Sequence, residues 1–261
     1  MKKLLTLAAS LLLAGTCSIS AMAANVYVTI SDANGDLALA QKAVEVTDAD
    51  GDGALTINDA LTAAHEANYE GGAAAGYGSG MTDYGLSMNK LWGTENGGSY
   101  GYYVNNASAW SLTDPVAEGD YVNAFVYTDL TAWSDTYCFF DVQNIDAVVG
   151  NTVTLTLSAA GYDADYNPIT VPVEGAVITI NGEATSYKTD TNGTVTLKLD
   201  KAGTQVISAV SDTMTLVPPV CTASVSDTAP QTADNTALFA VLASAALLCG
   251  AVVYKKKSYE R

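Results

Sequence analysis

Basic side chains are scarce in this chain of 261 residues, and they are unevenly placed. Arg261 is the single arginine and His65 the single histidine. Six of the 11 lysines and arginines lie in the first three and last seven residues, whereas the formal net charge of the chain is −17. An acidic surface of this kind repels phosphate backbones, which argues against a nucleic-acid partner.

The residues that mark the common catalytic sites are also missing. A lone histidine and dispersed cysteines give no zinc site, and we expect His65 to be a solvated or capping residue. The sequence contains no nucleophile elbow, P-loop or dinucleotide fingerprint. Carboxylate pairs of the kind used by glycoside hydrolases arise by chance in an acid-rich chain. The first of the two modules described below, residues 24–147, is also small for such an enzyme. We therefore predict that the protein is not an enzyme.

Long runs that are both uncharged and strongly apolar occur only at the two ends. Lys2 and Lys3 precede an apolar run and the small-residue site Ala21-Met22-Ala23, which predicts a secretory signal peptide over residues 1–23. Residues 237–254 carry no charge and are just long enough for a transmembrane helix. The basic tail 255–261 would hold its end in the cytoplasm. We expect the residues between these segments to lie outside the cell.

A short motif, Ala229-Pro230-Gln231-Thr232-Ala233, precedes the apolar run. The order of motif, apolar span and basic tail resembles the sorting signal of Gram-positive sortase substrates, although only Pro230 and Thr232 match Leu-Pro-x-Thr-Gly. The resemblance implies two partners, a sortase-like transpeptidase and peptidoglycan, and a location on the cell wall of a Gram-positive-type bacterium. A plain membrane anchor is the alternative.

Cysteine is nearly absent from the exported part of the chain, where only Cys138 and Cys221 remain. A disulfide is allowed in that compartment. The two cysteines fall near the ends of two different predicted modules, so a bridge would join the modules. A disulfide and two free thiols both stay open.

Composition divides the exported part into two modules and a stalk. Residues 148–216 alternate Val, Leu and Thr and contain turn pairs such as Asn181-Gly182, which predicts an all-β sandwich. This module resembles the Ig-like repeats of bacterial surface proteins, which mostly act as spacers. Residues 217–236 are rich in Pro, Ser and Thr and predict a stalk.

The first module, residues 24–147, predicts an α+β domain. Two alternating strands precede a helix with apolar residues at helical spacing, and short strands follow. Thr56 and Asp59 have the spacing of a capping box at the start of that helix. All three tryptophans and most tyrosines lie in this module.

The first module resembles the DUF4430 (transcobalamin-like C-terminal) domain. The matching segments are LTINDAL, YYVN and GD, and the matching residues are Thr56, Ile57, Asp59, Ala60, Leu61, Tyr102, Tyr103, Val104, Asn105, Gly119 and Asp120. Asn106 stands where that family usually has glycine. The resemblance implies a β-grasp-like fold. In the vertebrate carriers the related domain covers a corrinoid, whereas bacterial members are mostly without an assigned ligand.

The loop DADGDGALTIND, residues 48–59, has the ligand spacing of a twelve-residue EF-type calcium loop. Gly53 occupies the sixth position, and Asp at the last position resembles a dockerin loop. The absence of a second such loop argues against a cohesin partner. We predict Ca²⁺ as the cofactor; a solvated acidic turn is the alternative. The expected ligands are Asp48, Asp50, Asp52, the Ala54 carbonyl, Thr56 and Asp59.

Aromatic side chains crowd into the first module and suggest a binding surface for a glycan, a peptide or a small molecule. An aromatic core is the alternative. The predicted ligand-binding residues are Tyr77, Tyr84, Trp92, Tyr100, Tyr102 and Trp110. We expect a cell-surface binding or adhesion protein with a calcium-stabilised head on an Ig-like spacer. The alternative function is surface capture of a corrinoid-like cofactor for uptake.

Overall fold

The structure, a computed structural model, describes residues 23–227. The signal peptide, the sorting motif, the transmembrane helix and the basic tail were all predicted outside this range, apart from Ala23. Between residues 23 and 227, no helix is both long enough and apolar enough to cross a membrane. Strands dominate the described part of the chain.

The N-terminal domain, called the head below, combines a mixed sheet with one long helix. Its elements are β1 (Ala23–Ser31), β2 (Leu37–Thr47), α1 (Ile57–Asn68), α2 (Gly72–Gly76), β3 (Gly78–Thr82), β4 (Gly85–Lys90), β5 (Tyr100–Val104), β6 (Ala107–Ser108) and β7 (Tyr121–Val126). The main sheet has the order β2-β1-β7-β5-β6, and β3 and β4 form a separate hairpin. β1 and β7 are parallel neighbours at the centre of the sheet, and the other pairs are antiparallel.

The helix α1 begins where the sequence predicts. Thr56 is its N-cap, and Thr56 and Asp59 exchange the two hydrogen bonds of a capping box. Ile57, Leu61 and Ala64 lie on one face and are fully buried in the same core as β1 and β2. Helical spacing of apolar residues therefore places the helix against the sheet, as expected.

The second domain is a sandwich of two sheets. Its elements are β8 (Thr136–Phe140), β9 (Asn144–Val148), β10 (Thr152–Tyr162), β11 (Pro168–Pro172), β12 (Val177–Ile180), β13 (Glu183–Lys188), β14 (Thr194–Lys198), β15 (Gly203–Val210), β16 (Leu216–Val217) and β17 (Cys221–Ser226). One sheet has the order β11-β10-β8-β16 with β14 also paired to β10, and the other has the order β13-β12-β15-β17-β9. Alternate apolar residues of both sheets fill a shared core, which confirms the predicted all-β sandwich.

The domain boundaries differ from the predicted ones. β8 precedes the predicted boundary between residues 147 and 148 and β9 crosses it, yet they pair with β10 and β17 of the sandwich. β17 lies within the predicted stalk 217–236 and is a full strand of the second sheet. The sequence TYCFF of β8 is aromatic like the head, so composition assigned it to the wrong domain.

The two exported cysteines lie in one domain rather than in two. Cys138 on β8 and Cys221 on β17 are both buried free thiols in the sandwich core. The Cys138 thiol donates to the Val217 carbonyl at 3.1 Å. Burial raises the pKa of Cys221 to about 12 and raises the pKa of Cys138 as well, so both remain protonated. Of the two alternatives left open by the sequence, the structure has two free thiols, and both lie within the sandwich rather than in two modules.

Aromatic rings join the head to the sandwich. Tyr103 of the head stacks on Tyr137 of β8, with ring centroids 3.6 Å apart and planes 6° from parallel. Phe125 and Tyr127 of the head extend this cluster, and Phe139 packs against it from the sandwich. Phe125 and Tyr137 are buried, so the cluster is a small hydrophobic core between the domains.

Hydrogen bonds from Gln41 reinforce this interface. A β-bulge between β1 and β2 gives Gln41 a φ of 40°, an uncommon conformation for a residue with a side chain. The side-chain amide of Gln41 donates from Nε2 to Gln143 Oε1 at 2.8 Å and to the Val220 carbonyl at 3.1 Å. Its Oε1 accepts from the Thr222 hydroxyl at 2.9 Å. The bulge thus directs a side chain of the head into the sandwich.

Asn106 provides a further link. Asn105 and Asn106 both have positive φ in the tight turn between β5 and β6, and asparagine tolerates this conformation better than other residues with side chains. The Asn106 side chain accepts from the Tyr137 hydroxyl at 2.9 Å. Glycine at this position would make the same turn without the contact to the sandwich.

Candidate functional site

The acidic loop connects β2 to α1 and is shaped by two glycines with positive φ. Gly51 has a φ of 77° and Gly53 a φ of 89°, so the chain reverses twice within a few residues. The Asp48 carboxylate accepts from the amides of Gly51 at 2.7 Å, Asp52 at 3.1 Å and Gly53 at 2.9 Å. The loop therefore wraps around the first of the predicted ligands.

Three of the predicted calcium ligands come together. Asp48, Asp50 and Asp52 place carboxylate oxygens within 4.8 Å of one another, and Asp50 and Asp52 are exposed. Slight desolvation, followed by repulsion from the neighbouring carboxylates, raises the pKa of Asp50. Clustered hard oxygen donors fit Ca²⁺, whose positive charge would remove that repulsion.

Asp59 does not belong to this group, which departs from its predicted role as the last ligand. It is buried, and its Oδ2 accepts from the Thr56 amide at 3.0 Å and the Thr56 hydroxyl at 2.7 Å. Its Oδ1 accepts from the Ala49 amide at 3.1 Å. The short aspartate arm, at the third position of the helix, reaches the N-cap and joins the loop to α1.

The two remaining predicted ligands are placed by the same network. The Thr56 hydroxyl is buried and used within the capping box, where it also accepts from the Asp59 amide at 3.2 Å. The Ala54 amide donates to Asp52 Oδ1 at 2.8 Å. A cation at Asp48, Asp50 and Asp52 would thus sit beside a helix start that is already capped by protein groups.

The predicted ligand-binding aromatics separate into two sets. Tyr77 is buried and donates to Asn58 Oδ1 at 2.9 Å, and Trp92 packs edge-on against Tyr69 with centroids 5.1 Å apart. Tyr100 and Tyr102 are partly buried against the core of the head. These four residues serve packing, so the predicted single aromatic surface is corrected. The Gly-rich segment before β4 folds into α2 and β3.

Tyr84 and Trp110 form the second set, and both project into solvent. Their exposed fractions are 93% and 92%, and the neighbouring Met81 is 78% exposed. The two chain segments lie side by side, because the Leu112 amide and the Ser111 hydroxyl both donate to the Leu86 carbonyl. We call Met81, Tyr84 and Trp110 the aromatic platform.

Both segments of the aromatic platform are held by their own hydrogen bonds. The Tyr84 amide donates to the Thr82 hydroxyl at 3.1 Å, and that hydroxyl donates to the Gly85 carbonyl at 2.9 Å. The Trp110 amide donates to Asp114 Oδ2 at 2.8 Å. The backbone beneath the exposed rings is therefore ordered before any ligand arrives.

His65 is a buried packing residue, not the solvated or capping residue expected from the sequence. Its Nε2 accepts from the Trp92 amide at 3.2 Å, so Nδ1 carries the proton and donates to the Leu61 carbonyl at 2.7 Å. Tyr77 stacks on the ring with centroids 5.1 Å apart. Trp92 itself has a φ of 46°, and this contact with His65 holds the strained turn in place.

No protein-family model matches the chain, and no curated protein does. Among solved structures, the N-terminal four Ig domains of Dscam1 isoform 4.44 are 11% identical, with a TM-score of 0.22 over 56% of this chain and 31% of that one. The tandem Ig repeats of Dlar are 13% identical, with a TM-score of 0.23 over 57% of this chain and 75% of that one. The chain thus spans less than a third of the length of the Dscam1 structure. Scores of this size identify no common fold and carry no conclusion about function.

We expect His65 to make the head sensitive to mild acid. Burial lowers the pKa of His65 in the folded protein, so the unfolded chain, with a histidine pKa of about 6.5, binds the proton first as the pH falls. The stabilising contribution is complete above about pH 6.5 and is lost as the pH falls toward the lower, folded-state pKa. Urea denaturation should show that the free energy of unfolding falls as the pH is lowered from about 7.5 to about 5.5.

The variant His65→Gln provides the control for this pH dependence. It carries no titrating ring, so its free energy of unfolding should change less across the same interval. Equal slopes in the two proteins would show that other groups cause the acid sensitivity.

Proposed function

We propose that the chain is a non-enzymatic binding or adhesion protein of the cell surface. The observation that carries the proposal is the aromatic platform, in which Tyr84 and Trp110 are almost fully exposed on ordered backbone. Exposure of large aromatic side chains to water is unfavourable in a monomer, and such side chains are enriched where proteins bind ligands. The acidic head and the scarcity of basic residues suit an extracellular protein.

The proposal assigns the head a β-grasp-like fold and the second domain the role of a spacer. The strand order β2-β1-β7-β5, with parallel β1 and β7 at the centre and α1 packed against β1 and β2, supports this assignment. The Ig-like character proposed for the sandwich has its support in the two packed sheets. Anchoring by a sortase-like transpeptidase to peptidoglycan, or by the C-terminal helix to the membrane, completes the proposal and rests on the terminal sequences alone.

Calcium is proposed as the cofactor of the head. Asp48, Asp50 and Asp52 would hold the ion, and Asp59 would act indirectly by fixing the loop to α1. A site with three clustered carboxylates suits the weak range of extracellular calcium sites, about 10⁻⁴–10⁻³ M. The bound ion would neutralise the repulsion among these carboxylates and stiffen the loop.

The alternative function is surface capture of a corrinoid-like cofactor for uptake, and it relies on the same predicted aromatic residues. Tyr77, Trp92, Tyr100 and Tyr102 pack within the head. The exposed Tyr84 and Trp110 favour a ligand that is bound at the surface rather than enclosed.

Calorimetric titration of the metal-stripped protein with millimolar calcium should release heat. The variant Asp50→Asn should weaken binding at least tenfold, because it removes one of three clustered charges, whereas Asp165→Asn in an exposed turn of the sandwich should leave binding unchanged. Absence of heat, or equal affinity in Asp50→Asn, would contradict the metal site.

Asp59→Ala should lower the free energy of unfolding by about 1–3 kcal/mol even in EGTA, because it leaves the Thr56 amide unpaired.

Glycan and peptide arrays, probed with calcium present, test the binding function. The unaltered chain should bind a subset of the arrayed ligands, and the double variant Tyr84→Ala/Trp110→Ala should lose that signal. The matched double variant Tyr166→Ala/Trp133→Ala removes exposed aromatics of the same types elsewhere and should keep it. Binding that survives loss of the aromatic platform, or an empty array, would refute the proposed function.

A further inference from the structure

Charge around the aromatic platform has one sign. The two segments that build it, residues 78–89 and 107–118, contain Asp83, Asp114 and Glu118 and no lysine or arginine. Asp83 is exposed in the same turn as Tyr84, and Asp114 Oδ2 bonds the Trp110 amide. One carboxylate therefore bonds the backbone that carries Trp110, and another precedes Tyr84 in the same exposed turn.

Lys90 is the nearest lysine in sequence, because it ends β4 directly after the first segment, and the other described lysines lie elsewhere in the chain. Lys90 is at the far end of β4 and is bound by Glu95 at 3.0 Å, and Lys198 in the sandwich is bound by Asp200 at 2.6 Å. The aromatic platform thus combines an unpaired apolar surface with a local negative potential. The chain's net charge of −17 extends that potential beyond the platform.

We propose, on the basis of the binding function proposed above, that the aromatic platform docks a basic segment of a partner protein through its lysine and arginine side chains. An ammonium or guanidinium group over the face of Trp110 or Tyr84 gains attraction from the ring quadrupole. The alkyl stems of the same side chains pack on the ring and on Met81. Asp83 and Asp114 supply the opposite charge beside each ring.

The charge pattern decides between a basic peptide and other ligands. An anionic ligand would be repelled by Asp83, Asp114 and the net charge of the chain. A neutral sugar gains from stacking on the rings but nothing from the carboxylates, so it does not account for their sign. A single small amine would engage one ring, whereas a basic peptide can occupy both rings and add long-range attraction over several charges.

Fluorescence anisotropy with a labelled oligolysine peptide tests the proposal on the full chain with calcium present. The unaltered protein should bind, and its affinity should fall as salt is added. Tyr84→Ala and Trp110→Ala should each weaken binding about two- to fivefold, because each removes a solvent-exposed cation–π contact without changing net charge. Tyr166→Ala and Trp133→Ala, which also conserve net charge, should leave the affinity unchanged.

A second pair of variants separates local from general charge. Asp83→Asn should weaken oligolysine binding, whereas Asp165→Asn, with the same loss of charge at a distant exposed turn, should not. Equal binding by all the variants would show association by net charge alone and would overturn the proposal. No binding of oligolysine by the unaltered chain would overturn it as well.

A neutral chitin oligosaccharide and an oligoglutamate peptide form the remaining arms. The proposal expects neither to bind. If the oligosaccharide binds and Trp110→Ala abolishes it, the aromatic platform is a binding surface and the proposed function stands, but the basic-peptide assignment fails. An array without any bound ligand, in the experiment described under the proposed function, would instead contradict both the proposed function and the basic-peptide assignment.

Discussion

The aromatic stack between Tyr103 and Tyr137 is the contact on which the architecture depends. It joins a strand of the head to a strand of the sandwich at 3.6 Å, and Phe125 closes the cluster from the head side. Around it, Gln41 and Asn106 satisfy polar groups of the sandwich through hydrogen bonds. A hydrophobic core with a hydrogen-bonded rim opposes hinge motion more than an exposed linker does, so we expect the two domains to behave as one body.

Held by these contacts, the head would keep one orientation on the sandwich. The acidic loop and the aromatic platform both belong to the head, and both are held by local hydrogen bonds. An ion among Asp48, Asp50 and Asp52 would act on the loop before α1, which packs against β1 and β2. The head is therefore braced, and the backbone of its aromatic platform has little conformational entropy left to lose on binding.

Local features of the fold could be predicted from the sequence, and features that depend on distant partners could not. The capping box of Thr56 and Asp59 and the turn at Asn181-Gly182 depend on adjacent residues only, and both form as expected. The ligand spacing of the loop also brought Asp48, Asp50 and Asp52 together, but burial of Asp59 against Thr56 and Ala49 removed it from the set.

The domain boundary, the bulge at Gln41 and the roles of the tyrosines depend on pairing across the whole chain. The composition of the aromatic strand β8 resembles that of the head, but β8 pairs with β10 of the sandwich. Composition alone does not predict which strands pair. Sequence likewise cannot separate the packed Tyr77 from the exposed Tyr84, because both are tyrosines in Gly-rich surroundings. Asn106 was the one available signal for the interface, since it stands where the resembled family has glycine and bonds Tyr137.

Differential scanning calorimetry of the full chain tests most directly whether the two domains form one body. We predict one cooperative unfolding transition in the unaltered chain and two transitions in Tyr137→Ala. Two separate transitions in the unaltered chain would contradict a single two-domain body.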